Sequence, residues 1–470
     1  MAKASVFRQR SAPSGAPAAT RQSIAPSYVE GVRYARASLI IPRVQIEELD
    51  ECTFAPAAFG RSSAASRLAM RQSPKSAAAS LLRVGMKDLQ KVQAGRSPAS
   101  ENGVFTQLGS LGMATAFFGN EQVEANAINE LADAYDFVPS FDFTIPIRQS
   151  MSGVAETRGS AALAAREWPQ DSGVSQAHER GIRGAGVVMG VLDTGVDADH
   201  AEFTGQTITY RYVSFFPNSP YWPPRDVRGF DPDGHGTHVC GIVAGTSVGV
   251  APECKLYVAS VIESETTRTS LIRVASGLNW ILRQFTRPDN EHLPGVLNMS
   301  LGFPSVRPTD VPQAEYDLRI KAIRMLLKTI VQANVVPLVA IGNDGAGQFG
   351  VPGAFREVAG VGAADFSGKV APFSGGGRVT AESPAVNKPD FVGYGVGIYS
   401  SVERDYEGRS NYQRFSGTSM ATPYASGIAA LFRCREPQLT VAQVIDRIKQ
   451  NAVPLNEPAI RQGAGLVRFI

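Results

Sequence analysis

The sequence predicts a doubly wound α/β domain with a mostly parallel sheet over residues 168–470, preceded by a small α+β unit. Two observations predict it. Beyond residue 168 short apolar runs alternate with helical segments, and the runs are nearly continuous rather than alternating with polar residues. That pattern suits parallel strands covered on both faces. Ahead of this domain a strand, a helix and a second strand follow one another between polar, Ala/Ser-rich stretches.

Taken in order, residues 1–29 read as a disordered tail, rich in Ala, Ser, Pro and Arg with little apolar periodicity. Residues 30–150 read as the α+β region. YARASLIIPRV has strand character, and an Ala/Ser-rich linker lies near 55–82. In NEQVEANAINELADAY, Val123, Ala127, Ile128, Leu131 and Tyr135 recur at helical spacing behind Asn120 as a cap. VFTQLGSLGMATAFFG before it and DFVPSFDFTIPI after it look like strands. Residues 151–167 read as a linker. In the large domain the strands are GVVMGVLDTG, KLYVASVI, GVLNMSLG, VVPLVAIGN and EVAGVGAAD, with TSLIRVASGLNWILRQF and AEYDLRIKAIRMLLKTIVQAN as crossover helices.

Composition narrows the function classes. With 43% hydrophobic and 19% charged residues and a formal net charge of +3, the 470-residue chain has an ordinary globular balance and no case for nucleic acid. No run is long enough for a membrane span, and the N-terminal stretch lacks the apolar core of a secretory signal, so a cytoplasmic location is expected. Cys52, Cys240, Cys254 and Cys434 lack paired spacing and read as reduced thiols.

In doubly wound sheets ligands bind beyond the carboxyl ends of the strands. Three polar residues stand there: Asp193, Ser300 and Asn343. His235 and His238 open a helix in DPDGHGTHVCGIVAG; their three-residue spacing is not that of a zincin, and no third ligand is near, which argues against metal. Ser419 sits among small residues in FSGTSMATPYASGIAALF, where a helix begins. A hydroxyl becomes a useful nucleophile when a base takes its proton and a third group holds that base. Asp193, His235 and Ser419 can fill these roles, and their order in the chain excludes the α/β-hydrolase and chymotrypsin arrangements.

The segments VLDTGVD, GHGTHVCGIVAG, NMSLG, AIGNDG and GTSMATPYASG together resemble the signature segments of the subtilisin-like (subtilase) serine proteases, in that family's order. The resemblance implies a serine endopeptidase working through an acyl-enzyme. It implies that Asp193 orients the imidazole, that His235 is general base and then acid, that Ser419 attacks, and that Asn343 donates to the oxyanion. It also implies that Ser300, Leu301 and Gly302 pair with substrate backbone, and that Gly350 floors the pocket for the side chain preceding the cut. The region at 30–150 resembles the inhibitor-like prodomains of the family, which implies autoprocessing between about 149 and 170.

The sequence also departs from the family. The loop after the histidine helix that carries the family's strong calcium site looks deleted, so that site is not expected, weak structural calcium elsewhere stays open, and no organic cofactor is expected; Glu202 stands near where one acidic ligand would fall. FVGYGVGI lacks the usual Ala-Pro-Gly, and Cys240 reads as a small buried hydrophobe or a thiol-sensitive site. Two other readings stand beside this one: acyl transfer to a peptide amine on the same triad, and an inactive peptide-binding scaffold, which would require loss of a triad or oxyanion residue where none is missing. The expected partners are protein or peptide substrates and the chain's own N-terminal region as an intramolecular inhibitor, with neither nucleic acid nor membrane.

Overall fold

The computed structural model describes residues 27–29, 32–34, 36–43, 103–118, 121–131, 135–140, 142–144, 168–213, 226–262, 268–305, 307, 309, 311–382 and 384–470. The expected linkers at 55–82 and 151–167, most of the expected tail and Cys52 lie outside them. The last residues of that tail are not without structure, since Ser27–Val29 pairs antiparallel with Val32–Tyr34.

The N-terminal unit is a four-stranded antiparallel sheet. Its strands are β1 (Arg36–Pro42), β2 (Gly103–Leu108), β3 (Met113–Phe118) and β4 (Tyr135–Pro139), in the order β2-β3-β1-β4. Helix α1 (Glu121–Leu131) covers one face, burying Val123, Ala127 and Leu131 against Ile40, Ala114, Ala116 and Phe118. The helix is shorter than the periodicity suggests: Tyr135 opens β4 and Ile128 is exposed. Strand β5 (Asp142–Thr144) follows and leaves this sheet altogether.

The large domain is the doubly wound sheet its apolar runs predict. Strands β6 (Val188–Asp193), β7 (Ile208–Tyr212), the two-residue edge β8 (Asp226–Val227), β9 (Lys255–Ser260), β11 (Gly295–Met299), β12 (Val335–Ala340), β13 (Ala359–Ala364) and β14 (Phe391–Tyr394) form one sheet. Their order is β8-β7-β9-β6-β11-β12-β13-β14, parallel except for β8. Short β10 (Arg268–Ser270) lies outside it and pairs with β5.

Helices α2 (His235–Ala244), α5 (Thr418–Arg435) and α6 (Val441–Asn451) pack into the core on one face of the sheet. Helices α3 (Leu271–Phe285) and α4 (Gln313–Gln332) cover the other. Ser270 caps α3 by accepting from Arg273 N, and Thr440 with Gln443 forms a capping box on α6. A hairpin of β15 (Ile398–Val402) and β16 (Asn411–Phe415) leads into α5.

The outer faces of α3 and α4 are covered by the N-terminal sheet. Leu39, Ile41, Leu108, Met113, Phe117 and Val138 share one apolar core with residues of both helices. Two polar contacts fix the seating: Ser110 N donates to Asn279 Oδ1 at 3.0 Å, and Lys321 pairs with Asp136 at 2.8 Å.

Candidate active site

In the sheet β6 lies between β9 and β11, and the connection from β9 to β11 passes across it, so β6 lies at the point where the winding reverses. Asp193 ends β6 there, fully buried. Its Oδ1 accepts from Thr194 N at 2.8 Å and from His235 Nδ1 at 2.6 Å. With Nδ1 donating, Nε2 is the acceptor nitrogen, and it has no hydrogen-bond partner among the described residues.

Glycine lets His235 stand there. Gly234 precedes it in the left-handed region at φ 84°, and a Cβ on Gly236 would stand 2.2 Å from Gly195 O. The first turn of α2 therefore lies directly on the loop after Asp193. Cys240, farther along α2, is fully buried, and burial pushes its thiol well above the ordinary range. It behaves as a hydrophobe.

Ser419 is the second residue of α5, so its backbone N–H is one of the helix's unpaired N-terminal donors. Ser419 is 3% exposed and its Oγ donates to Ser300 O at 3.3 Å. In return Ser300 Oγ donates to Ser419 O at 2.9 Å. Asn343 Oδ1 accepts from Thr418 N at 2.9 Å and Thr418 Oγ1 at 3.0 Å. These bonds fix which end of the amide is oxygen and so aim the Nδ2 end away from Thr418.

Ser300, Leu301, Gly302, Asn343, Gly350 and Ser419 line one cleft, together with Phe303, Ala340, Gly342, Asp344 and Thr418. Behind Leu301 and Phe303 lies a second, wholly apolar pocket, walled by Leu271, Val274 and Leu278 of α3 and Ile323, Leu326 and Leu327 of α4. Sequence reading missed this pocket and the strand edge Arg268–Ser270 beside it. Both depend on α3 and α4 meeting across residues far apart in the chain.

Glu202 is buried where the turn after α2 closes. One carboxylate oxygen accepts from Ser247 N at 2.8 Å and Val248 N at 3.3 Å; the other accepts from Tyr412 Oη at 2.8 Å and from Ser247 Oγ. Protein donors thus surround the charge. His238 Nε2–H donates to Ile398 O and Gln413 O, and its ring stacks on Phe415. Among the described residues no group of three His, Cys, Asp or Glu is placed to hold a metal ion.

A serine at a helix N-terminus, a carboxylate bonded to an imidazole at the strand ends and an amide beside them form the frame of a serine hydrolase. A family model described as the subtilase family matches residues 184–466, and the chain belongs to that family. It is 50% identical over 374 residues to the subtilisin-like protease PopC of Myxococcus xanthus, covering 79% of this chain and 78% of that protein. It is 31% identical over 301 residues to an intracellular serine protease of Paenibacillus polymyxa, covering 61% and 79%. To subtilisin Savinase of Lederbergia lenta it is 31% identical over 297 residues, covering 62% and 92%. The protein is a subtilisin-like serine endopeptidase.

Proposed function

We propose that Ser419 is the nucleophile of this endopeptidase, His235 its general base and then acid, and Asp193 the group that holds the imidazole. The observation that carries this reading is the 2.6 Å bond from His235 Nδ1 to a fully buried Asp193. It fixes the tautomer whose Nε2 can take the serine proton, and it stabilises the imidazolium that follows. The tetrahedral oxyanion is met by Asn343 Nδ2 and Ser419 N–H, two donors already oriented before reaction. Collapse of the intermediate expels the amine with the proton from His235, and water then cleaves the acyl-enzyme by the same route.

The substrate reading follows from the cleft. An extended peptide adds between the edges Ser300–Gly302 and Arg268–Ser270 and is read chiefly through its main chain. Gly350 leaves room for a large apolar side chain before the cut, and the apolar pocket on α3 and α4 takes a second one upstream.

We propose further that the N-terminal unit is a prodomain, removed by cleavage between about 149 and 170. In support, β5 pairs with β10 in the register Thr144 to Arg268 and Asp142 to Ser270, at a substrate edge, and His235 and Ser419 are 0% and 3% exposed. A self-blocked form has that burial. A cytoplasmic location belongs to the same proposal, supported by the name of the Paenibacillus relative.

Intact-mass spectrometry of wild type and Ser419→Ala, alone and with an unfolded protein, tests both readings. Wild type is expected to shed roughly 150–170 residues and digest the substrate, and the variant to do neither. An uncut wild type that still digests substrate would make the N-terminal unit a permanent domain. Digestion by Ser419→Ala would remove the nucleophile assignment.

A further inference from the structure

A second buried carboxylate lies behind the Asp193–His235 pair. Asp231 is 6% exposed and precedes His235 in the same segment. Its Oδ1 accepts from Thr194 Oγ1 at 2.9 Å, and its Oδ2 accepts from Thr237 N and Thr237 Oγ1, both at 2.7 Å. Thr194 directly follows Asp193, and Thr194 Oγ1 in turn accepts from Gly236 N at 2.8 Å. Thr237 Oγ1 accepts from Asp197 N at 2.9 Å. One carboxylate therefore ties the loop after β6 to the first turn of α2, and those two segments carry Asp193 and His235.

We propose that Asp231 is a positioning residue for the Asp193–His235 pair, acting through Thr194 and Thr237, and that its charge steadies the imidazolium formed in the reaction. The proposal rests on the roles given to Ser419, His235 and Asp193 above. Two threonine hydroxyls set the spacing: the Thr194 hydroxyl lies 2.9 Å from Asp231 Oδ1 and 3.3 Å from Asp193 Oδ1, so without Asp231 it would donate to Asp193 Oδ1 alone and compete there with His235. Asp231 and the ring are both buried, which weakens solvent screening of the charge.

The groups facing Asp231 and the imidazole leave His235 as the cation to be stabilised. Asp193 bonds the ring directly, and Asp233 accepts from His235 N at 3.3 Å. On α2, Cys240 remains a neutral thiol. On β7, burial drives the Tyr210 hydroxyl far above its ordinary value, so it too is neutral. From the hairpin, Glu403 lies with its carboxylate against Gly234. Burial, aided by the charge of Asp193, raises the Asp231 carboxyl from its ordinary value, while its threonine donors act the other way.

The test is kcat/KM against pH for processed wild type, Asp231→Asn, Thr194→Val, Thr194→Ser and Ser419→Ala on one peptide substrate. Removing a negative charge makes the imidazole less basic, so Asp231→Asn should lower the plateau about tenfold and move the acid limb down by about one pH unit. Thr194→Val should lower the plateau and leave the limb in place, and Thr194→Ser should restore it. A lowered plateau with an unmoved limb in Asp231→Asn would reduce Asp231 to a structural group and overturn the proposal. If Asp231→Asn does not fold, a Thr194→Val enzyme as active as wild type overturns it instead. Activity in Ser419→Ala would sink the underlying triad, an outcome distinct from either.

Discussion

Ser300 and Ser419 bind each other twice: each hydroxyl donates to the other's carbonyl oxygen, at 2.9 Å from Ser300 and 3.3 Å from Ser419. The Ser419 proton is thus aimed at Ser300 O and not at His235 Nε2. On the roles proposed above, a substrate N–H pairing with Ser300 O would displace that bond and free the hydroxyl to turn to the base. Ser300→Ala removes the shorter half of the clasp, so kcat should fall about fivefold to tenfold, the worth of one hydrogen bond. Stopped-flow acylation with an activated ester measures it; an unchanged acylation rate would show that the clasp does not hold Ser419.

Asn343 should matter in the transition state and little before it. Asn343→Ala is expected to lower kcat by about 10²–10³ with KM nearly constant. Steady-state kinetics on a peptide anilide decide this. A rise in KM at constant kcat would make Asn343 a binding group instead.

Arg324 bonds both oxygens of Glu357 at 2.9 and 3.0 Å, also pairs with Glu382, and stacks on Phe355 with 4.2 Å to the ring centroid. Glu382 is 5% exposed and also holds Arg356 at 2.8 Å. Arg324→Met leaves one buried and one partly buried carboxylate short of a cation, so stability should drop by about 3 kcal/mol. Urea unfolding at pH 7 reads the loss.

The same cluster sets an acid limit. Burial pushes the Glu382 carboxyl upward, but bonds from Arg324 and Arg356 outweigh it and bring the group below its ordinary value of 4.5. A depressed carboxylate stabilises above its unfolded pKa, and the gain disappears as pH falls through the folded value. Wild type should therefore lose this contribution only below about pH 4.5. Arg324→Met should show a weaker dependence there in thermal melts across pH 3–6.

Glu202 gives a metal prediction. Four protein donors fill the turn after α2, so excess chelator should leave the melting temperature of wild type unchanged. Glu202→Ala should cost about 1–3 kcal/mol by orphaning those donors. A melting temperature that falls on chelation would point to a bound divalent cation.

Much of this was legible in sequence because the site is built from local signals. Asp193, Ser300 and Asn343 stand at or just beyond strand ends that near-continuous apolar runs announce, and His235 and Ser419 begin helices marked by glycine. Other features depend on distance in space. In strand β7 Tyr210 alone is buried and the other four residues are partly exposed, so it shows no continuous run. Tyr135 fits a helical period but falls in a strand, because pairing with Pro42 wins over spacing. Asp231 reads as a turn residue in DPDG; only the approach of Thr194, 37 positions earlier, shows what it joins. The hydrogen bonds that close around Glu202 come from Ser247, Val248 and Tyr412, the last 210 positions away.

The pairing of Asp142–Thr144 with Arg268–Ser270 sets up a contest for one edge. Any peptide that adds to β10 must first evict β5, and β5 is tethered. A segment joined to its binding edge through the chain can hold a local concentration of about a millimolar, whatever the dilution of the protein. Substrates present at micromolar levels lose that contest on numbers alone. If the chain is cut after β5, as proposed above, that advantage is lost in one irreversible step, and dilution, which had no effect before, favours the open edge.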